Sequence, residues 1–269
     1  MSYEYKSIYF DDPLISGRVL DIFEPGELSQ DTALFFVHGG GWNAGSRTGY
    51  HVLMEEFRRR GFICASTDYR LVPGVDIFDQ LTDIRHGYDI FTSFLKTKGR
   101  PLKIVTMGSS AGGHLAGLLS FAKPGECGEK TSLCGYMMQN EWIKPMGTAL
   151  HAPALHFEPW EDIFPGILSA MEAGMKAPYA EAKGKYKAVS PIHYLSKDSC
   201  PAFVLVAGNE HMFPCWQAEE AVKTLKGFGI KAQYKVYKNA EHGFLYALDR
   251  WQQKEAFQDI LDFIASIQV

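Results

Sequence analysis

The chain of 269 residues carries 27 lysine and arginine residues against 31 aspartate and glutamate residues, a formal net charge of −4. Hydrophobic residues make up 46% of the chain and charged residues 22%, which is ordinary for a globular protein and excludes intrinsic disorder, collagen and coiled coil. Because there is no basic surplus, the composition gives no reason to expect a nucleic-acid or membrane-surface partner.

Alternating tyrosines predict an edge strand at the start of the chain, over residues 3–9, followed by a turn at Asp11-Asp12-Pro13. Residues 18–23 predict a second strand. The continuous apolar run over residues 33–37 is typical of a strand that is buried on both faces. Helical spacing over residues 50–60 then predicts a helix, and a further buried strand is expected over 62–67.

The middle of the chain continues this alternation. Apolar residues at three- and four-residue intervals predict a long amphipathic helix over residues 76–98. A strand is expected over residues 102–107, a helix of small residues over 111–121, and another strand over 147–151.

The last third of the chain predicts a buried strand over residues 203–207, a helix over 217–228, an alternating strand over 233–237 and a final helix over 251–267. This order indicates an α/β fold: a mostly parallel sheet flanked by helices on both faces. Residues 153–194 have no strong strand pattern and are rich in Pro, Gly, Met and aromatic residues. We expect them to form a short lid inserted into a single domain that spans residues 1–269.

The cysteines form neither a CxxC pair nor a zinc spacing; they are Cys64, Cys127, Cys134, Cys200 and Cys215. Cys64 lies in an apolar run and is expected in the core, and the odd number weakly favours a reducing compartment. The N-terminus has no apolar signal core, and no window approaches about 18 uncharged apolar residues. We therefore expect a cytoplasmic protein without a membrane-spanning helix.

The sharpest chemical feature is the GxSxG pattern centred on Ser110. It follows a predicted strand and opens a predicted helix, the context of a nucleophile elbow. Side chains at Gly108 and Gly112 would collide with neighbouring backbone, and the turn raises the Ser110 hydroxyl at a helix N-terminus. Ser109 is the rival serine, but only Ser110 has glycine both two residues before and two residues after it. A glycine-rich helix start with a capping serine is the structural alternative.

A serine hydroxyl needs a base to act as a nucleophile, and His242 is the best candidate. It lies in a loop after the last predicted strand, which returns to the same sheet edge as the elbow. The other histidines fall in the glycine loop, on or beside helices, or around the predicted lid.

A glycine loop, His38-Gly39-Gly40-Gly41-Trp42, follows the buried strand at residues 33–37. Consecutive glycines let backbone N–H groups approach a ligand without obstruction by Cβ. Such donors can stabilise the oxyanion of an acyl-transfer reaction. A plain glycine turn is the alternative, but it does not explain why the loop ends on the same sheet edge as Ser110.

Together, HGGGW, TDYRLVP at residues 67–73, GSSAGGHLA at 108–116 and EHGF at 241–244 resemble the α/β-hydrolase esterases of the HGGG type. The resemblance covers about residues 18–267 and is nearest to small acetyl-xylan-esterase-like and arylformamidase-like carboxylesterases. It implies an oxyanion hole formed by the amides of Gly40, Gly41 and Ala111.

One element departs from the family pattern, which has an aspartate in a loop of the form G-x-x-D-x-x-x-P. Here the loop at residues 208–214 reads GNEHMFP. Counting from its glycine places His211 at the acid position, and counting back from its proline places Glu210 there. Glutamate can orient and stabilise an imidazolium, whereas histidine cannot supply the negative charge. We therefore favour Glu210, with an acid supplied from elsewhere as the alternative.

These residues predict a serine esterase that cleaves short-chain, acetyl-type esters, sugar esters among them, with Ser110 as nucleophile, His242 as base and Glu210 as acid. No metal or organic cofactor is implied. The short lid and a set of aromatic residues suggest a compact pocket; the set is Trp42, Trp160, Phe164, Phe213 and Trp216. Trp42 and Phe213 are its predicted substrate contacts.

Two other functions fit the same sequence. An arylformamidase or amidase would use the same three residues on an amide. A non-catalytic, ligand-binding homologue is favoured only by the unusual acid loop. The expected partner is a small-molecule ester, and the exposed edge strand with many aromatic residues is compatible with a homodimer.

Overall fold

The computed structural model describes residues 3–9, 18–133, 136–137 and 142–268. Eight of its strands form one sheet, in the spatial order β1-β2-β4-β3-β5-β8-β9-β10. They are β1 (Lys6–Tyr9), β2 (Val19–Phe23), β3 (Thr32–Val37), β4 (Ile63–Thr67), β5 (Lys103–Ser109), β8 (Gly147–His151), β9 (Ala202–Asn209) and β10 (Ala232–Glu241). The two-residue strands β6 (Ser132–Leu133) and β7 (Tyr136–Met137) form a separate hairpin.

The sheet is parallel from β4 to β10 and antiparallel at the other edge. Strands β1 and β2, and then β2 and β4, pair antiparallel. Strands β3 and β5 pair in parallel, as do β5 and β8, and β8 and β9. The carboxyl ends of β3, β5, β9 and β10 therefore meet at one edge of the sheet, where α/β folds bind ligands.

Among the described residues, six α-helices lie between these strands and a seventh follows β10: α1 (His51–Arg58), α2 (Ile77–Thr97), α3 (Ala111–Phe121), α4 (Pro165–Met175), α5 (Tyr179–Ala188), α6 (Trp216–Gly227) and α7 (Trp251–Ile267). Short 3₁₀ helices lie at Arg47–Tyr50 and Pro191–Tyr194. Helix α2 begins with a capping box, in which Asp76 accepts from the Asp79 amide at 2.9 Å.

Two apolar layers lie on opposite faces of the sheet. Helices α2, α3 and α6 cover one face, with residues such as Leu81, Leu115 and Val222 packed against it. Helices α1 and α7 cover the other through Phe57 and Phe257, whose ring centroids are 4.5 Å apart. The apolar runs of β3 and β4 are buried along their whole length, as expected for strands that are covered twice.

The predicted elements lie close to those observed. The strand predicted over residues 3–9 begins only at Lys6, and the helix predicted over 50–60 is preceded by a 3₁₀ turn. Two helices, α4 and α5, occupy the segment at 153–194, for which no elements were predicted. The turn predicted at Asp11-Asp12-Pro13 lies outside the described residues, as does Cys134.

Cys64 is fully buried in β4, as predicted. Over the described ranges, none of the helices is both long and apolar enough to cross a membrane. Nor does the described part of the chain contain a group of three or more His, Cys, Asp or Glu residues arranged to hold a metal ion.

Candidate active site

Ser110 occupies a sharp turn between β5 and α3. Its backbone has φ 55° and ψ −121°, in the half of conformational space that non-glycine residues rarely adopt. The turn is held by two hydrogen bonds: its amide donates to the His151 carbonyl and its carbonyl accepts from the His114 amide, both at 2.9 Å.

The glycines around Ser110 are required by the surrounding backbone. A Cβ at Gly108 would lie 2.2 Å from the Gly112 carbonyl oxygen. A Cβ at Gly112 would lie 2.1 Å from the Val37 carbonyl oxygen. Neither contact can be relieved by turning a side chain, so the GxSxG glycines let α3 begin directly against the end of β3.

His242 follows β10 and reaches the elbow. Its Nε2 is 2.8 Å from Ser110 Oγ. Its Nδ1 is 2.8 Å from Glu210 Oε2 and 2.9 Å from Oε1. Because a carboxylate only accepts, Nδ1 carries the proton, and Nε2 is then free to accept the Ser110 hydroxyl proton.

Glu210 follows β9, and its side chain is 5% exposed. Oε1 accepts from the amides of Met212 at 2.8 Å and His211 at 3.1 Å. Burial acts to raise the pKa of this carboxyl, but hydrogen bonds and charge from His242 and the loop amides outweigh it and lower the pKa. The side chain is therefore a preoriented carboxylate.

The two candidates for the acid position are separated by the structure. His211, the residue obtained by counting from Gly208, is exposed, and its Nδ1 is 3.4 Å from the Asn209 carbonyl. Glu210, the residue obtained by counting back from Pro214, is the one that contacts His242.

The glycine loop between β3 and α1 presents backbone donors beside Ser110. Gly40 has φ 123° and Gly41 has φ 58°, conformations that glycine adopts without strain. Within the described chain, the amides of Gly40, Gly41 and Ala111 have no protein acceptor. These are the three amides to which the resemblance assigns the oxyanion hole.

The direction of each of these amides is fixed through its own peptide plane. In a trans peptide the N–H points away from the preceding carbonyl. The carbonyl before the Gly40 amide is held by His38 Nδ1 at 2.8 Å, and the one before the Gly41 amide by the Ala44 amide at 2.9 Å. The carbonyl before the Ala111 amide is that of Ser110, already held by α3.

His38 can hold the Gly39 carbonyl because its imidazole is a neutral donor. Its ring is buried and stacked on Tyr69, with centroids 4.2 Å apart. Burial lowers its pKa. A carbonyl oxygen only accepts, so the contact to Gly39 places the proton on Nδ1.

The predicted contact between Trp42 and substrate is corrected by the structure. Trp42 has no exposed surface. Its Nε1 donates to His114 Nδ1 at 3.1 Å, and its carbonyl accepts from Gln80 Nε2 at 2.7 Å. The aromatic ring is enclosed by Phe157 and its neighbours. The side chain therefore anchors the glycine loop to the core.

Phe213 lies beside the base, with its ring centroid 5.7 Å from that of His242. Trp160 packs next to it at 6.1 Å. Phe164 and Trp216 are 51% and 41% exposed, and Trp216 packs on His156. Of the predicted aromatic set, Phe213 and Trp160 are thus the members that the structure brings toward His242.

Ser109, the rival serine, points into the protein. It is fully buried, and its Oγ is 2.9 Å from His151 Nδ1. Burial, and next the charge of His242, lower the pKa of His151 to about 3, so this imidazole is neutral. In the sequence, His151 only flanks the predicted lid, and no motif marks it as functional.

Tyr246 is a second residue that the sequence did not single out. Its hydroxyl oxygen accepts from the Gly39 amide at 3.0 Å. The EHGF motif ends at Phe244, and nothing in the local pattern marks a tyrosine two residues later as a neighbour of the glycine loop.

A family model described as BD-FAE matches residues 20–225, more than half of the chain. The chain belongs to the BD-FAE family. The matched stretch includes Ser110 and Glu210, and His242 lies after it. This membership confirms the resemblance to α/β-hydrolase esterases that the motifs indicated, and so do the similar proteins described next.

Two curated proteins illustrate these relatives. Isoprenylcysteine alpha-carbonyl methylesterase ICME of Arabidopsis thaliana is 27% identical over 268 residues, covering 96% of this chain and 61% of that protein. Esterase LipQ of Mycobacterium tuberculosis is 26% identical over 239 residues, covering 84% of this chain and 54% of LipQ. The chain thus spans little more than half of the length of these relatives.

Among solved structures, the native form of the thermophilic esterase Est2 from Thermogutta terrifontis superposes with a TM-score of 0.75 at 21% identity. The superposition covers 99% of this chain and 92% of Est2. It confirms for this BD-FAE member the predicted α/β-hydrolase fold, with a mostly parallel sheet and helices on both faces.

Proposed function

We propose that this protein is a serine carboxylesterase that hydrolyses short-chain acyl esters. The observation that carries the proposal is the continuous line of hydrogen bonds from Ser110 Oγ through His242 to Glu210, with distances of 2.8 Å on each side of the imidazole. Among the described residues, the amides of Gly40, Gly41 and Ala111 have no acceptor, and we assign them to the oxyanion hole of this serine. A nucleophile, a base, its orienting acid and oxyanion donors are the parts that acyl transfer requires.

The reaction follows from these positions. His242 Nε2 takes the Ser110 proton as Oγ bonds to the acyl carbon, and the carbonyl electron pair moves to oxygen. The amides of Gly40, Gly41 and Ala111 hold that oxyanion. The intermediate collapses as the C–O bond to the alcohol breaks, and His242 returns the proton to the leaving oxygen. A water molecule then gives a proton to His242 and bonds to the acyl carbon, the bond to Ser110 Oγ breaks, and His242 returns the proton to Oγ as the acid leaves.

Glu210 supports this cycle without changing its own protonation. Its carboxylate holds His242 in the tautomer that accepts at Nε2 and stabilises the imidazolium that forms. The lowered pKa of this carboxyl keeps it charged. Phe213 beside the imidazole and Trp160 behind it favour a compact acyl or alcohol group next to Ser110.

The names of the relatives agree with ester hydrolysis. ICME is named as a methylesterase and LipQ as an esterase. We propose the same bond type for this chain and an acetyl-type acyl group, with sugar esters among the substrates to be examined.

The test is hydrolysis of p-nitrophenyl acetate, butyrate and octanoate by the wild-type protein and by Ser110→Ala. We expect the acetate and butyrate to be cleaved faster than the octanoate, and Ser110→Ala to lose on the order of 10⁶-fold in kcat. Ser109→Ala, which removes the neighbouring buried hydroxyl, is the matched control and should retain turnover. Unchanged hydrolysis by Ser110→Ala would overturn the proposal.

The same atoms could cleave an activated amide, so an N-formyl aromatic amine belongs in the panel. Faster turnover of this amide than of any ester would reassign the protein as an arylformamidase. The non-catalytic alternative was favoured by the unusual loop at residues 208–214; Glu210 at hydrogen-bond distance from His242 now counts against it.

We further propose that residues 1–269 form one domain in which the segment 153–194 acts as a lid.

We also propose that the protein is a cytoplasmic homodimer. The edge strand β1, where Tyr9 is 55% exposed, favours a dimer, and so does the opposite edge β10, where Tyr234 and Val236 are 39% and 47% exposed. Light scattering on purified protein would measure the assembly, and a monomeric mass would contradict it.

A further inference from the structure

Hydroxyl groups behind the glycine loop are not used by the proposed reaction: Tyr50 and Ser109 are buried, and Tyr246 is half-buried. The Gly39 amide donates to the Tyr246 hydroxyl at 3.0 Å. The Tyr50 ring packs against that of Tyr246, and Ser109 Oγ is 2.9 Å from His151 Nδ1. The hydrogen bond between Gly39 and Tyr246 connects the loop after β10 to the loop after β3.

The peptide that joins His38 to Gly39 is held at both ends by tyrosines. Tyr69 donates to the His38 carbonyl at 2.8 Å, and Tyr246 accepts from the Gly39 amide. The next peptide along the chain carries the Gly40 amide. A rotation of the first peptide would therefore turn the second, and with it the Gly40 amide that we assign to the oxyanion hole.

Space around Gly39 shows how closely these parts fit. A Cβ built on Gly39 would be 2.6 Å from the Ser109 carbonyl oxygen, 2.8 Å from the Tyr246 hydroxyl and 3.3 Å from Ser110 Cβ. The Tyr246 hydroxyl is thus among the nearest neighbours of Gly39, the residue at which the glycine loop approaches Ser110. Its ring packs against that of Tyr50, with centroids 5.0 Å apart.

We propose that Tyr246 is a positioning residue for the oxyanion donors. It lies on the loop that carries His242, and its hydroxyl fixes the Gly39 amide. One loop thereby sets both the base and the support of the glycine loop, and Tyr50 packs against the ring that carries this hydroxyl. The inference rests on the proposed esterase function and adds a residue that touches neither substrate nor reacting atoms.

The test is Tyr246→Phe, which removes the hydroxyl and keeps the ring. Loss of one oxyanion donor costs about 10²–10³ in kcat, and loosening the support of a donor should cost less, roughly tenfold. KM for p-nitrophenyl acetate should stay within about twofold, because the ground-state ester does not yet carry the oxyanion.

Two further measurements separate positioning from a general structural defect. A trifluoromethyl ketone forms a tetrahedral oxyanion on Ser110, so its affinity should fall by about the same factor as kcat/KM. The pH midpoints of kcat/KM should not move, because Tyr246 transfers no proton. A defect that merely loosens the fold would raise KM and lower the melting temperature, but the inhibitor affinity and kcat/KM would not fall by the same factor.

Tyr88→Phe is the matched control. Its side chain is buried, and its hydroxyl has no hydrogen-bond partner among the described residues. Tyr50→Leu is the second variant, which leaves Tyr246 in place without the ring that it packs against and should lower kcat by roughly threefold with the same unchanged KM. It keeps the inference testable if Tyr246→Phe does not fold.

Hydrogen exchange gives a readout that does not depend on activity. The peptide containing residues 38–45 should exchange faster in Tyr246→Phe than in the wild type and Tyr88→Phe. Unchanged exchange and a kcat within about twofold of the wild type would overturn the positioning role. A wild-type protein that hydrolyses no ester would instead count against the proposed function, and the exchange measurement would still decide the inference.

Discussion

At the scale of single residues, each strand of the site contributes one functional group from the loop that follows it. Ser110 follows β5, Glu210 follows β9 and His242 follows β10. Parallel strands bring these loops to one edge, so their approach could be expected from the strand order and the GxSxG motif. The acid could not be fixed by sequence, because counting from either end of residues 208–214 gives a different residue.

Replacement of Glu210 by glutamine tests the acid directly. Glutamine keeps an acceptor for the loop amides but removes the charge that holds the His242 tautomer, so kcat should fall by roughly 10³–10⁴-fold with little change in KM. His211→Ala changes the adjacent exposed residue and should be nearly neutral. Steady-state kinetics check both, and the reverse pattern would transfer the acid role to His211.

Other parts of the site escaped sequence reasoning for a physical reason. Trp42 was expected to touch substrate because aromatic residues near a glycine loop suit a pocket, but its side chain turns into the core and donates to His114. Tyr246 and His151 contact the site through the fold alone. No periodicity or spacing encodes such contacts between distant segments.

At the scale of elements, the helices and strands with the strongest apolar pattern are the ones whose predicted bounds agree best with the structure. Helix α2 buries a regular stripe and starts at a capping box, and its predicted bounds differ from the observed ones by one residue at each end. Helix α5 was missed because Tyr186 is its one buried residue and its backbone departs from helical geometry at Ala182. The β6–β7 hairpin, two residues per strand, is too short to leave a pattern.

The start of α3 is the element most sensitive to substitution. Gly112→Ala would place a Cβ 2.1 Å from the Val37 carbonyl oxygen and should lower the free energy of unfolding by about 3 kcal/mol or more. Gly184→Ala, in α5, meets no atom within 4 Å and should raise it by about 0.5–1 kcal/mol. Chemical denaturation of both variants checks this contrast, and equal stabilities would contradict the steric account of the elbow.

At the scale of the whole molecule, several buried histidines link stability to pH. Burial lowers the pKa of His86 and His114 to about 4 and, with the charge of His242, that of His151 to about 3, from an ordinary value of 6.5. The unfolded chain therefore binds protons at a higher pH than the folded chain. Their contribution to stability is fully present above pH 6.5 and is lost as the pH falls toward the folded-state values.

We expect the free energy of unfolding to fall steeply between about pH 6.5 and pH 4. His86→Gln should remove about one of the protons that are taken up on unfolding. The slope of the unfolding free energy against pH should therefore fall by about 1.4 kcal/mol per pH unit, without an effect on the site. His211→Gln, at an exposed position, is the control. Denaturation curves across this range measure the slope, and an unchanged slope in His86→Gln would show that His86 is not held neutral by burial.

The most direct measurement of the central claim is covalent labelling with a fluorophosphonate, followed by mass mapping of the modified residue. Attack on phosphorus needs the same activated hydroxyl and the same oxyanion donors as attack on an ester. We expect a single adduct on Ser110, with labelling strongly slowed in His242→Ala and retained in Ser109→Ala. An unlabelled protein, or an adduct on another residue, would contradict the assignment of Ser110 as the nucleophile.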